Sequence, residues 1–367
     1  MPIRRDEITS IACDYEKVTI GVLGSHSAEE VGMAAKSTGL ETVVVCQKGR
    51  EALYAEYSKH LFDHVIVLDR FKDILDIQEQ LRELNTVFLP NRSFSVYVGY
   101  DNIEDKFLVP MYGNRFMLRI EERTVEKNQY WLLEKAGIRT PRKFTSPDEI
   151  DRLVVVKLQR KEESIERAFF YPNSPEEYYT QSKELINSGF IRKEDLDTAR
   201  IEEFIIGPRF HANFIAYTVL PGFDFVGFED RVQTNISGIL ALPAKEQLKI
   251  DVPVIIEPIG HFGLTMRESK KPLVYEAGRR FIEASKKYFP PGIIGPFSLQ
   301  GAVPQPPEFI VFDVSPRIPG SPCVGPSSPE MHRLSLKYNL EIHSPLELCM
   351  MEIKHALKQS KLGEVIT

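Results

Sequence analysis

The chain reads as an α/β domain built on a doubly wound parallel sheet, followed by two α+β lobes. Three observations predict this. Apolar, β-branched runs alternate with helical stretches over about the first hundred residues, a pattern that requires parallel strands joined by crossovers. The texture then changes after Gly137 to strands around a charged connection. The length of 367 residues also exceeds one small domain, since roughly 150 residues per domain is the usual scale.

The elements follow in order. Residues 18–24 (VTIGVLG) form a first strand, and a helix starts near Ser27 and runs through EEVGMAAKS. TVVVC (42–46), HVIVL (64–68) and TVFLP (86–90) are further strands, separated by helices over 49–58 and 73–84. Unbroken apolar strands fit a sheet covered on both faces. A helix over 123–137 closes on Gly137, with Pro141 just beyond, the usual stop chemistry. LVVVK (153–157) and RAFFY (167–171) read as two strands flanking QRKEESIE. A helix over 174–188 and a strand in RIEEFIIG (200–207) complete a small lobe. The stretch 206–335 is strand-rich with one helix, 270–289, whose Val274, Ala277, Phe281 and Tyr288 share a face and which Ser269 is placed to cap. The Pro-rich piece 315–330 is a loop, and the last thirty residues end in an amphipathic helix packed on the body.

A hydrophobic share of 43%, a charged share of 27% and a net charge of −6 describe a globular chain without the overall basic charge that nucleic acid favours. Local pairs such as Arg115 with Arg119 remain candidate anion sites. The four cysteines form no CxxC pair, which argues against a disulfide framework or a zinc site. No apolar run reaches the length of a membrane span, and the first residues carry no signal-like core. The expected location is the cytoplasm, with no membrane partner.

Several turns carry polar groups where chemistry would need them. Gly24-Ser25-His26-Ser27 lies where the first strand meets the first helix. That carboxyl-end crevice is where open α/β sheets bind ligands, and His26 is placed to donate to an anion; a plain cap turn explains the residues equally well. Pro90-Asn91-Arg92-Ser93 follows another strand end, where Ser93 offers a hydroxyl. Lys157 ends one apolar strand and Arg167 begins the next, two cations suited to phosphate or to a solvated strand end. Glu202, Glu203, Phe204 and Ile205 leave one lobe for another; the Phe204–Ile205 backbone suits an adenine edge, and the glutamates its amine or the ribose. GPFSLQ and FIVFDVSPR end in oxygen ligands. If the two runs pair, Gln300 and Asp313 meet at one mouth with Ser315 and Arg317 behind. Mg²⁺ takes one or two carboxylates plus phosphate and water, and Arg317 suits a bidentate phosphate clamp.

These segments, in this order, resemble the ATP-grasp fold, and in particular the archaeal formate-dependent ligases that make FAICAR from AICAR in purine (IMP) biosynthesis. The likeness rests on LGSHSAEEV, VVVCQKGRE, LPNRSF, VPMYGNR, LLEKAGIRTPRKF, IEEFIIG, RVQTNISGI, LTMRES, GPFSLQ and FIVFDVSPRI. It implies a pre-ATP-grasp domain over 1–122, a small ATP-grasp lobe over 123–205 and a C-terminal lobe over 206–367. It implies ATP contacts at Lys157, Arg167, Glu202, Glu203 and Ile205, and AICAR contacts at His26, Ser93 and Asn235. Mg²⁺, with Mn²⁺ as a substitute, falls on Gln300 and Asp313. The expected partners are ATP, formate and AICAR; a homo-oligomer is compatible with the sequence.

Three departures from the family pattern stand out. QRKEESIE lacks the glycines of a phosphate-covering loop, Pro-Asn-Arg-Ser stands where Pro-His-Gly-Ser is common, and Gln300 and Asp313 replace glutamates. They leave two alternatives: a related ligase joining a different acid and amine, or a silent nucleotide-binding protein.

Overall fold

In the computed structural model the described residues are 2–159, 167–234, 239, 242–250 and 256–367. Asn235 and the connection 160–166 therefore lie outside the described residues, as does the side chain of Arg167.

Three sheets account for the described strands. The first holds β1 (Thr19–Leu23), β2 (Glu41–Gln47), β3 (His64–Leu68) and β4 (Thr86–Phe88) in the order β3-β2-β1-β4, all parallel. Every residue of β1 is buried, as expected of a strand covered on both faces. The helix Ala28–Ser37 covers one side. The second sheet is small and antiparallel: β5 (Lys143–Phe144), β6 (Val154–Gln159), β7 (Arg167–Phe170) and β8 (Arg200–Glu203), ordered β5-β8-β6-β7. The third contains β9 (Arg209–Ala216), β10 (Phe223–Thr234), β11 (Ile256–Leu264), β12 (Gly295–Ala302) and β13 (Ile310–Ser315). It is antiparallel and ordered β11-β10-β9-β12-β13.

Several helices differ from the sequence reading for local reasons. Over 49–58 only a short turn, Leu53–Tyr57, forms, after Gly49 turns the chain at φ +84°. The stretch 73–84 splits into a tight turn, Phe71–Ile77, and a helix, Gln78–Glu83; the Asp73 carboxylate accepts from the Arg70 backbone and fixes the turn's start. The helix expected over 123–137 begins only at Gln129. Asn128 caps it, accepting from the backbones of Tyr130 and Trp131 while donating back to the carbonyls of Arg123 and Val125. It ends as expected at Gly137, φ +64°. The long helix is Lys271–Tyr288, but Ser269 does not cap it; a tight turn over Glu268–Lys270 leads in.

The third sheet has two unlike faces because its strands alternate. Phe210, Ala212 and Phe214 of β9 join Phe297 and Leu299 of β12 on one face, packed on Val274, Ala277 and Phe281 of the long helix. Gly278 permits this approach, since a Cβ there would meet the Phe214 ring at 2.6 Å. The other face carries His211 and Asn213, flanked by Glu229, Ser298, Gln300, Asp313 and Ser315. The C-terminal helix Pro345–Lys358 joins the first and third sheets. Leu348, Cys349 and Ile353 share one core with Ile20, Val22 and Val44 and with Ile215 and Val226. The small sheet instead has its own core around Val154, Val156, Phe170 and Tyr178.

The pair Arg115 and Arg119 is not an anion site. The Arg115 guanidinium is buried and donates to the carbonyls of Ile103, Phe107, Val109 and Thr367, and Arg119 pairs with Glu104 and Asp101. Among the described residues no helix is long and apolar enough to cross a membrane.

Candidate active site

The polar face of the third sheet is organised by register. Gly263, Glu229, His211, Gln300 and Asp313 stand directly opposite one another across five strands. Gln300 and Asp313 are therefore cross-strand neighbours on one face, as the pairing of the two apolar runs predicts. Gln300 is 8% exposed and its amide nitrogen donates to Ser315 Oγ at 3.2 Å, so the oxygen is the atom it has to offer a metal. Asp313 Oδ1 accepts from Gln129 Nε2 at 2.9 Å and lies 3.6 Å from Arg123. The donor set is one carboxylate and one neutral oxygen. No group of three His, Cys, Asp or Glu suited to a metal exists among the described residues. These residues fit a divalent ion that arrives with phosphate oxygens, and not a dedicated protein cage.

The small sheet brings a second pair to the same place. Lys157 Nζ lies 2.5 Å from Glu202 Oε2, and Arg200 lies 3.1 Å from the other oxygen without hydrogen-bond alignment. Burial works to raise the Glu202 carboxyl, but Lys157, Arg200 and Arg123 outweigh it and hold the group below the usual range. Desolvation lowers Lys157, and Arg123 adds to that while Glu202 and Asp313 oppose it. Lys157 and Asp313 thus act on each other across the gap between the sheets, with Arg123 between. Tyr130 ties the gap: its hydroxyl donates to the Phe312 carbonyl, and the Arg200 guanidinium lies over its ring at 4.4 Å.

The remaining candidates on this side fall apart from one another. Glu203 points to the opposite face of β8 from Glu202, where Arg139, Arg152 and the Arg142 amide hold it. Ile205 buries its side chain with Ala302 and Ile310. The Phe204 amide, expected to face adenine, already donates to the Leu153 carbonyl at 3.0 Å, so that half of the expected edge is taken and only the Ile205 peptide is left to it.

The first sheet delivers its two carboxyl-end turns side by side. Ser93 Oγ donates to Ser25 Oγ at 2.7 Å. Asn91, which sequence reasoning passed over, stitches the turns together by donating to the carbonyls of Leu23 and His26 while capping Phe94. Arg92 and Arg317 share one carboxylate, Glu121, at 2.5 and 3.0 Å. His26 keeps an exposed edge but sits among cations. Desolvation, then Arg317, Arg231 and His261, push it down to about 4. A neutral imidazole has one N–H. His26 therefore offers an anion one N–H and one lone pair but no positive charge.

Anion-binding character comes instead from arginines. Arg231 donates to the Pro319 and Gly320 carbonyls and lies 3.8 Å from buried Glu229. Arg231 Nε, Arg317 Nε and Ser298 Oγ are buried donors without a partner among the described residues, and unsatisfied buried donors call for an absent acceptor. Glu229, Arg231, His211 and His261 were missed in the sequence. For His211 the signal was present as alternation in FHANFIA, where polar residues recur every second position of an otherwise apolar strand; FEDRV carries three charges in a row and shows no such pattern.

Two family profiles cover most of the chain: "Domain of unknown function (DUF1297)" over residues 177–367 and "Protein of unknown function (DUF1246)" over 20–144. A Methanopyrus kandleri protein named 5-formaminoimidazole-4-carboxamide-1-(beta)-D-ribofuranosyl 5'-monophosphate synthetase is 40% identical over 323 residues, 87% of this chain and 88% of that one. In structure, the chain is similar to an IMP biosynthesis protein, PurP, from Thermococcus kodakaraensis, with TM-score 0.71, 23% identity, and 95% and 100% of the two chains covered. It is also similar to the ADP complex of an N5-carboxyaminoimidazole ribonucleotide synthetase, with TM-score 0.55, 12% identity, and 90% and 79% covered. The chain has the ATP-grasp fold and belongs to the family of 5-formaminoimidazole-4-carboxamide-1-(beta)-D-ribofuranosyl 5'-monophosphate synthetases.

Proposed function

We propose that this chain is an ATP-dependent ligase that formylates AICAR to FAICAR in IMP biosynthesis, using formate and releasing ADP and phosphate. The observation that carries this is the meeting of three sheets' polar ends. Lys157 and Glu202 face Asp313 and Gln300 across Arg123, while His26 and Ser93 adjoin the orphaned donors of Arg231 and Arg317.

In this reading ATP lies between the small sheet and the third sheet. Lys157, Arg167 and Glu202 line the triphosphate side, the Ile205 peptide takes the adenine edge, and Glu203 acts through its arginines on the strand that joins the lobes. Gln300 and Asp313 would hold Mg²⁺, which would supply charge neutralisation. Formate attacks the γ-phosphorus and gives formyl phosphate, a step that needs positioning and positive charge more than covalent help. Lys157 and Arg123 provide that charge from a water-poor site. AICAR lies against the first sheet. Arg231 and Arg317 carry its phosphate, Ser93 adds a hydroxyl, His26 accepts from a ribose or amide donor, and Asn235 orients the base. Its amine attacks the formyl carbon and expels phosphate. The small sheet's separate core lets that lobe move as a unit and shield the mixed anhydride from water.

Incubation with ATP, formate and AICAR tests this. Equal yields of ADP, phosphate and FAICAR are expected. ATP bound without turnover would support a silent nucleotide-binding protein, and turnover only with another acid or amine would support a related ligase.

A further inference from the structure

The cluster of Glu229, His211 and His261 is left unused by the contacts to phosphate and metal. Glu229 is wholly buried on β10. Its Oε2 lies 3.1 Å from His261 Nδ1, and its Oε1 lies 3.5 Å from His211 Nδ1. Burial works to raise its carboxyl, yet the two imidazoles and Arg231 hold it below the usual range, so it is ionised at neutral pH. An ionised carboxylate only accepts hydrogen bonds. The His261 proton is therefore on Nδ1, and Nε2 is left as a lone pair.

The two imidazoles differ in access. The His211 side chain is 4% exposed and sealed in, whereas that of His261 is 16% exposed. His261 acts electrostatically on His26 and on Glu30, so its open edge belongs to the crevice beside the first sheet's turns. A structural role alone accounts poorly for a buried carboxylate with two imidazoles, since apolar replacements usually serve stability as well or better. The opposite face of the same sheet is packed with phenylalanines.

We propose that His261, oriented by Glu229, accepts the proton that the nucleotide amine loses when it attacks the formyl carbon. This rests on the ligase reading above. The N–C bond forms and the C–O bond to phosphorus breaks, its electron pair leaving on the phosphate oxygen. The amine proton passes to His261 Nε2 and then to the departing phosphate, which restores the neutral imidazole. The groups facing His261 are Glu229 and Arg231 from β10, His26 from the first turn, Glu30 from the helix behind it, and Cys323, whose thiol donates to the His261 carbonyl at 3.2 Å. His26 is a poor competitor for the proton, being pushed down to about 4 by desolvation and its neighbouring cations. Glu30 is pushed up to about 7 by burial and faces both Glu229 and His261. His261 is the positioned acceptor because Glu229 both fixes its tautomer and stabilises the imidazolium that forms.

The full chain carrying His261→Asn or Glu229→Gln tests this in two assays. Positional isotope exchange of ATP with formate reads formyl phosphate formation, and appearance of the formylated nucleotide reads transfer. With His261→Asn, exchange should fall less than ~3-fold while transfer falls about 10²- to 10⁴-fold and the acid limb of the kcat–pH profile disappears. Glu229→Gln should lose less transfer, because the ring keeps a hydrogen-bonding partner while the imidazolium that forms loses its counter-charge. Surviving exchange shows that the variant is folded. Transfer within ~3-fold of wild type, equal loss of both reactions, or an unchanged acid limb would each overturn the role of His261 alone. Absence of transfer by the wild-type chain would overturn the reaction and this role together.

Discussion

Replacing Gly320 by alanine perturbs the crevice at one atom. Gly320 has φ +66°, a conformation that costs an L-residue about 1–2 kcal/mol. Its loop cannot relax freely, because Arg231 holds the Pro319 and Gly320 carbonyls and the Ser321 hydroxyl donates to Asn213. An added Cβ would lie 2.4 Å from His26 Cε1, 2.5 Å from His26 Nε2 and 2.8 Å from Ser27 Oγ. Ordinary contact begins at 3.4 Å, so the His26 ring must retreat by about 1 Å, a displacement that costs up to ~10²-fold where groups are positioned for reaction. The expected result is a rise of about 10- to 100-fold in the KM for AICAR, with the KM for ATP within ~2-fold, since the proposed ATP site is at the other edge of the third sheet from His26. Gly39→Ala supplies the control. It has φ +75° and nothing within 4 Å of its Cβ, so it carries the backbone strain and should leave both KM values alone. Steady-state kinetics on the two variants decide it. An unchanged KM for AICAR in Gly320→Ala, or equal rises for ATP and AICAR, would refute the placement of His26.

Other outcomes follow from the same geometry. His26, with its pKa near 4 in the folded chain against an ordinary 6.5, holds fewer protons than the unfolded chain between those values; its contribution is present above pH 6.5 and lost as pH falls toward 4. Urea unfolding of wild type and His26→Gln should therefore diverge only in that window, and an NMR midpoint near 6.5 for His26 would contradict the placement. Gln300→Glu adds a second carboxylate opposite Asp313. Calorimetry of Mn²⁺ binding in the presence of ADP should show affinity tighter by about 10-fold, with a lower Tm for the empty protein because like charges then face across the ladder. Arg115→Ala should cost about 3–5 kcal/mol in urea unfolding, because four buried carbonyls lose their donor. The KM for ATP should not move.

The parallel sheet was legible because its strands announce themselves locally. VTIGVLG, TVVVC and HVIVL are β-branched runs, and all became parallel strands. The meeting of Gln300 with Asp313 was legible only as a condition: antiparallel pairing sets the end of one run against the start of the next, and it is the register that puts Gln300 opposite Asp313. What escaped is what depends on distant chain. Asn128 competes for the backbone of its own predicted helix and shortens it by six residues, from 123 to 129, and side-chain competition of this kind leaves no mark on periodicity. Asn91 looked like an ordinary turn residue until the first turn's carbonyls came within its reach. Glu229 and His261 lie 32 residues apart, and only the register of β10 against β11 makes them neighbours. Arg115 read as half of a candidate anion site, yet its partners are carbonyls up to 252 residues away. The suppressed basicity of His26 left no mark in the sequence, because it comes from burial and from Arg317, Arg231 and His261, all remote in sequence.

A structure of the chain with Mn²⁺, a non-hydrolysable ATP analogue and AICAR decides how the site is laid out, with anomalous scattering locating the ion. The ion is expected between Gln300 and Asp313, the triphosphate facing Lys157 and Arg123, and the AICAR phosphate on Arg231 and Arg317. An ion bound away from Asp313, or a triphosphate with no contact to the small sheet, would contradict that layout.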